Sequence, residues 1–189
     1  MKTLTELFLE KNYDTDKYYL GYIDNLYASL FNSFCNKKTT ILEIGVHRGG
    51  SIFLWNDYLS RDSVIYTLDV HFCSLLHSLA NVTQIVKDAY SYEAVNMFLE
   101  NSLDIIIDDG PHTFNSFIFL IENYYSKLKP NGVMVIEDII NIKWTRELIV
   151  LAQKIGYSSF EVHDMRKKQK TPELLQMWAE GLDVLVLKK

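Results

Sequence analysis

Five short aliphatic runs punctuate the middle of the chain: "TTILEIGV", "SVIYTLDV", "TQIVKDA", "LDIIIDDG" and "VMVIEDI". Each is short and rich in β-branched residues, so each reads as a strand. Helical stretches separate them, from about Ser51 to Tyr58, near Cys73 to Ala80, over "SYEAVNMFL" and over "FNSFIFLIENYYSKL", the last followed by the turn "KPNG". Strands alternating with helices dictate βαβ units, and therefore an α/β fold with a mostly parallel sheet covered by helices on both faces.

The two ends differ from this middle. Before residue 38 the pattern is helical, with Leu4, Leu7 and Phe8 at helical spacing and Ile23, Leu26, Tyr27, Leu30 and Phe31 on one face of a second run. After the helix "TRELIVLAQKIG", the runs "SSFEVHDM" and "DVLVLKK" flank a short helix around "TPELLQMWAEG" and predict an antiparallel pair at the sheet edge. A chain of 189 residues with 48% hydrophobic and 23% charged residues supports one domain over 1–189, with a helical cap at 1–37 on a core at 38–189.

Several function classes drop out. No apolar run approaches the roughly 20 residues that cross a bilayer, and Glu6, Glu10 and Asp14 interrupt the stretch where a signal peptide is apolar. The expectation is a soluble, cytoplasmic protein without a membrane partner. Cys35 and Cys73 are far apart and lack neighbouring Cys or His ligands, so they read as reduced thiols. The net charge of -5 disfavours nucleic acid, and the basic run "MRKKQK" is short.

In open α/β sheets, ligands sit beyond the carboxyl ends of the strands, and the turn after the first strand is the usual cradle. Here that turn is "LEIGVHRGGS". A dinucleotide fingerprint needs a second glycine where this chain has His47, which counts against NAD or FAD. Gly45, Gly49 and Gly50 still allow a tight turn, and Glu43 is expected to place a carboxylate near its mouth. Asp69 ends the second strand, where an acid binds ribose hydroxyls in nucleoside-binding sheets, and Asp88 follows the third, within reach of an adenine amino group. Each acid alone is an ordinary solvated strand end. Their joint placement after successive strands points to a nucleoside-type cationic ligand.

Taken in order, "ILEIGVHRGGS", "YTLDV", "VKDA", "DIIIDDGPH" and "GVMVIEDI" resemble the class I S-adenosylmethionine (SAM) dependent methyltransferases, over nearly the whole chain. The resemblance implies a Rossmann-like doubly wound sheet with an antiparallel C-terminal strand. A narrower resemblance is to the metal-dependent macrocin and mycinamicin sugar O-methyltransferases, matched at Thr15, Asp16, Lys17, Trp55, Asp108, Asp109, His112, Glu137 and Asp138. Two positions depart from that pattern: Pro111 stands where a serine is usual, and Ser116 where a second histidine is common.

What the resemblance implies is specific. SAM would lie against Glu43, Gly45, Gly49, Ser51, Asp69, Asp88, Ala89 and Asp108. Asp109, Glu137 and Asp138 would hold Mg2+ or Mn2+, and His112 with Asp109 would carry catalysis. The acceptor would be a hydroxyl of a sugar, glycan or glycosylated small molecule, with a homo-oligomer left open. The residues themselves support the metal: the fourth and fifth strands are expected neighbours, crowded carboxylates need a cation, and neither acidic motif contains a lysine or arginine. Successive strand side chains alternate faces, so not all four acids meet at one point. The competing reading makes these acids helix N-terminal caps. A catechol-type O-methyltransferase and a non-catalytic SAM-binding module are the functional alternatives.

Overall fold

The aliphatic runs pair as their alternation predicts. The computed structural model describes residues 2–189 and places seven strands in one sheet. These are β1 (Thr40–Ile44), β2 (Val64–Asp69), β3 (Val82–Val86), β4 (Leu103–Asp108), β5 (Leu128–Ile139), β6 (Ser159–Asp164) and β7 (Asp183–Lys188). Their spatial order is β3-β2-β1-β4-β5-β7-β6. The first five are parallel, and β7 runs antiparallel to both β5 and β6. Strand order therefore reverses between β1 and β4, which is where such sheets bind ligands.

Among the described residues seven α-helices accompany the strands: α1 (Leu4–Lys11), α2 (Ala28–Asn32), α3 (Gly50–Tyr58), α4 (Tyr92–Val95), α5 (Phe114–Tyr124), α6 (Ile142–Ile155) and α7 (Pro172–Met177). A π-helical turn, Ile23–Tyr27, leads into α2. α1 opens with a capping box, Thr3 accepting from the Glu6 amide while the Glu6 carboxylate accepts from the Thr3 amide. No helix among the described residues is long and apolar enough to cross a membrane.

The pleat divides the core in two. Ile41, Ile105, Ile107, Val133 and Val135 face the N-terminal cap and α3, around the fully buried Trp55, Tyr22 and Tyr27. Leu42, Ile44, Ile106, Met134 and Ile136 face α5 and α6 through Phe117, Leu120 and Leu148. Burying each such aliphatic side chain contributes about 1.5–3 kcal/mol. Truncating Trp55, which touches Tyr27 and Phe31 at ring separations of 5.0 and 4.5 Å, would cost about 3–5 kcal/mol.

Three local expectations change. The helix expected near Cys73 to Ala80 is a 3₁₀ segment, Ser74–Ser78, in which only Leu76 is buried. The helix expected over "SYEAVNMFL" stops at Val95, because Met97 and Leu99 are solvent-exposed and offer no apolar face for another turn. The "KPNG" turn lies inside β5 as a bulge, where pairing with β4 jumps from Leu103–Leu128 to Ile105–Val133.

Candidate active site

A cleft of about 700 Å³ opens at the carboxyl ends of β1 to β5. Each strand-end motif of the sequence contributes to it: Gly45 and Val46 after β1, Asp69 at the end of β2, Asp88 and Ala89 after β3, Asp109 and His112 after β4, and Asp138 from β5. Asp14, Thr15 and Asp16 of the N-terminal cap close the remaining side.

The β1 turn is built against the end of β4. Gly45 has φ +83°, and a Cβ there would lie 2.0 Å from the Asp109 carbonyl oxygen, so only glycine fits. The Asp109 amide donates to the Ile44 carbonyl at 2.9 Å, locking the two strand ends together. Gly50, which begins α3, is equally constrained: a Cβ would lie 2.0 Å from the Asp14 carbonyl oxygen. These glycines therefore serve close chain-on-chain approach beside the cleft. Gly49 lies outside the cleft lining, against the Leu76 side chain.

Asp69 is held in place by backbone amides, accepting from Val46 at 2.8 Å and His71 at 2.9 Å. Its side chain is partly exposed in the cleft. Asp88 accepts from the Tyr90 amide at 2.9 Å, and the buried Ala89 accepts through its carbonyl from the Tyr124 hydroxyl at 2.8 Å. Ser51 lines the cleft, and its Oγ donates to Glu43 Oε1 at 2.5 Å.

Glu43 itself does not stand at the cleft mouth. It is fully buried, accepting from Ser51 and from Trp55 Nε1, because the pleat turns it toward α3 with Ile41. Asp108 is also fully buried and outside the cleft lining, on the opposite face of β4 from Asp109, and Tyr90 donates its hydroxyl to it. Burial pushes the Asp108 carboxyl up to about 6. Tyr90, unmarked in the sequence reading, thus links the β3 turn to the end of β4.

The same alternation organises the remaining acids. Glu43, Asp109 and Glu137 project toward the N-terminal cap, and Lys17 from that cap sits among them at 1% exposure. Its Nζ donates to Asp109 Oδ2 at 2.7 Å and to Glu137 Oε2 at 2.5 Å. Burial disfavours the ammonium, but Asp109 and Glu137 outweigh it and hold the Lys17 pKa well above its ordinary value. Neither acidic motif contains a basic residue, as the sequence shows, and the cation beside these acids comes instead from a segment 92 residues away in the chain. The Tyr27 hydroxyl donates to Glu137 Oε1, so both oxygens of Glu137 are engaged.

Asp138 escapes the alternation through its backbone. It has φ +55°, and with that turn its Oδ1 accepts from the Tyr22 hydroxyl while Oδ2 faces His112. Six non-glycine residues among those described have positive φ. Three are asparagines, which tolerate that region; the others are His47, His112 and Asp138, all in the cleft lining. Strain of this kind is retained where the surroundings over-determine it, commonly at ligand sites.

His112 Nε2 lies 3.7 Å from Asp109 Oδ1 and 3.6 Å from Asp138 Oδ2. Asp109, His112 and Asp138 each offer a ligand atom, and these atoms lie within 4.8 Å of one another. Glu137, expected beside the metal, is outside this group. Lys17, Tyr22 and Tyr27 were the residues whose parts here went unread. In the sequence Tyr27 reads only as part of one helical face, and the signal for Lys17 is its place among the positions that match the sugar O-methyltransferases.

A family profile described as a methyltransferase domain matches residues 42–139. This chain belongs to that family. The match begins in β1 and ends with β5, so it contains all five strand ends of the cleft. Among curated relatives, the chain is 26% identical over 145 residues to 8-demethyl-8-alpha-L-rhamnosyl tetracenomycin-C 2'-O-methyltransferase of Streptomyces olivaceus, covering 72% of this chain and 38% of that protein. It is 28% identical over 146 residues to mycinamicin VI 2''-O-methyltransferase of Micromonospora griseorubida, covering 72% and 36%. The chain thus spans less than two-fifths of the length of these relatives. Among solved structures, the MycE methyltransferase from the mycinamycin pathway, in complex with Mg, SAH and mycinamycin VI, aligns with a TM-score of 0.63 at 28% identity. That alignment covers 72% of this chain and 37% of MycE. The Rossmann-like methyltransferase fold is therefore as expected, including the antiparallel C-terminal strand.

Proposed function

We propose that this chain is a SAM-dependent and divalent-metal-dependent O-methyltransferase that acts on a hydroxyl of a sugar or glycosylated small molecule. The observation that carries the reading is the convergence of Asp109 Oδ1, Asp138 Oδ2 and His112 Nε2 in one cleft with the glycine turn and Asp69. The relatives' names support the acceptor class. SAM would lie along Gly45, Val46 and Ser51, with its ribose hydroxyls on Asp69 and its adenine beside Asp88 and Ala89.

The donor set fits a hard divalent cation, since Asp109 and Asp138 each keep one oxygen free of protein hydrogen bonds on the side facing His112. When bound, Mg2+ or Mn2+ supplies positive charge that lowers the pKa of a nearby acceptor hydroxyl. The chain's own residues do the rest. Asp109 and Asp138 orient the acceptor, and His112 receives its proton at Nε2 as the new O–CH3 bond forms and the S–CH3 bond breaks, leaving a neutral thioether. At 3.6 and 3.7 Å neither carboxylate accepts a hydrogen bond from Nε2, so this nitrogen is not held in a donor role by Asp109 or Asp138. A catechol-type reaction, which needs a lysine at the acceptor, is disfavoured because Lys17 is buried and committed to Asp109 and Glu137.

The test is transfer of labelled methyl from SAM to a panel of glycosides, with EDTA and with Mg2+ or Mn2+ restored. Metal-dependent transfer is expected. SAM binding without transfer to any glycoside or catechol would leave the binding-module alternative, and full transfer by demonstrably metal-free protein would remove the metal.

A further inference from the structure

Between them, the three acids nearest the proposed metal position have six carboxylate oxygens, and the N-terminal cap engages four. Lys17 takes Asp109 Oδ2 and Glu137 Oε2, Tyr27 takes Glu137 Oε1, and Tyr22 takes Asp138 Oδ1. The two that remain, Asp109 Oδ1 and Asp138 Oδ2, are the two that face His112 Nε2. The left-handed backbone of Asp138 turns its carboxylate to the cleft, but each of the four engaged oxygens is taken by a donor from outside the strands. Those donors are three side chains from a segment that precedes β1.

We propose that Lys17 is a built-in counter-cation at the proposed metal site: its ammonium closes Glu137 and one oxygen of Asp109 and competes with the divalent cation, while Tyr22 and Tyr27 engage the remaining oxygens of Asp138 and Glu137. The inference rests on the metal-dependent reading above. Charge supports it. The Lys17 ammonium lies 2.7 Å from Asp109 Oδ2 and 2.5 Å from Glu137 Oε2, so a divalent cation brought to Asp109 meets a like charge at short range. Without Lys17, Glu137 would be buried at 1% exposure with no cation beside it, an arrangement proteins avoid or correct by recruiting a counter-ion. Lys17 therefore keeps the cluster folded when metal is absent, and it weakens metal binding by repulsion at short range.

Direct Mn2+ binding to the full chain, read by the loss of the free-ion EPR signal, tests this without any turnover. Lys17→Met should bind Mn2+ at least about tenfold more tightly than the native protein, since a nearby positive charge is removed and Glu137 is released. Its melting temperature should fall in EDTA and recover with Mn2+. Lys17→Arg, which keeps the charge, should restore near-native affinity. A purely structural lysine would give the opposite sign, looser binding on removal, and unchanged or weaker affinity in folded Lys17→Met overturns the proposal. Glu137→Gln is a second arm if Lys17→Met does not fold: affinity within about tenfold of native is expected for a closed Glu137, and a larger loss would make Glu137 a ligand and overturn the proposal. Absence of Mn2+ binding in all forms overturns the metal reading as well, whereas the expected affinity pattern without methyl transfer leaves this proposal standing and removes only the catalytic one.

Discussion

Glu137 and Asp138 are neighbours in sequence and opposites in circumstance. Glu137 follows the pleat into the core, where Lys17 and Tyr27 occupy both its oxygens. Asp138 has a left-handed backbone that turns it to the cleft with one oxygen free. The β4 pair repeats the contrast: Asp108 is fully buried under Tyr90, whereas Asp109 is partly exposed and shared between Lys17 and His112. At the ends of β4 and β5, one acid of each pair is buried away from the cleft and the other keeps an oxygen facing His112. The proposed chemistry uses the open members, which line the cleft.

The sharpest way to break this contrast is to remove the group that the open acids face. His112→Ala should lower methyl-transfer turnover by about 10²–10⁴-fold, the usual range for general acid-base catalysis, with SAM affinity nearly native. Initial rates across a metal titration check it, since rescue by added metal would make the imidazole a ligand. Next in size is Asp69→Ala. It removes charge-assisted hydrogen bonds worth about 1.5–3 kcal/mol each, so calorimetry should show SAM binding weakened by at least about tenfold. Unchanged affinity in a folded variant would place the ribose elsewhere.

A closed acid should respond through stability instead. Burial raises the Glu43 pKa above 4.5, with Lys17 acting in the opposite direction. The folded protein then holds this proton where the unfolded chain has lost it, so Glu43 favours folding below the unfolded value and that contribution is lost as pH rises through the folded one. Glu43→Gln should make the fall in urea midpoint above pH 4.5 shallower, with the remaining slope supplied by Asp108, Glu137 and Asp138, whose pKa values burial also raises. An unchanged slope would mean Glu43 is ionised at no cost. The smallest effect belongs to an exposed ion pair. Asp14 and Arg48 pair at 3.4 Å with both side chains 66% exposed, so Arg48→Ala should shift stability by less than about 0.5 kcal/mol in thermal melts.

Much of this was legible in the residues because it depends on local pattern. Alternation of aliphatic and helical segments predicted the strands and their parallel sense, since period and length separate the two states. The acids at the strand ends were visible as the places where aliphatic runs stop. Helices with a weak apolar face, such as the one that ends at Val95, were overextended, because their length depends on packing partners that sequence does not display. The 3₁₀ segment at Ser74–Ser78 departs from the expected helix for the same reason.

What the sequence alone determined is the order of elements, the glycine turn after β1 and which strand ends bear carboxylates. These follow from side-chain type and spacing along the chain. Which carboxylate oxygens stay available was decided only by the tertiary structure. Lys17 reaches Asp109 across 92 residues and Glu137 across 120, while Tyr22 and Tyr27 reach across 116 and 110 to Asp138 and Glu137. Contacts at such separations have no periodic signature. They arise because the pleat turns Glu43, Asp109 and Glu137 to one face of the sheet, and folding then packs the N-terminal cap, with its buried lysine, against that face.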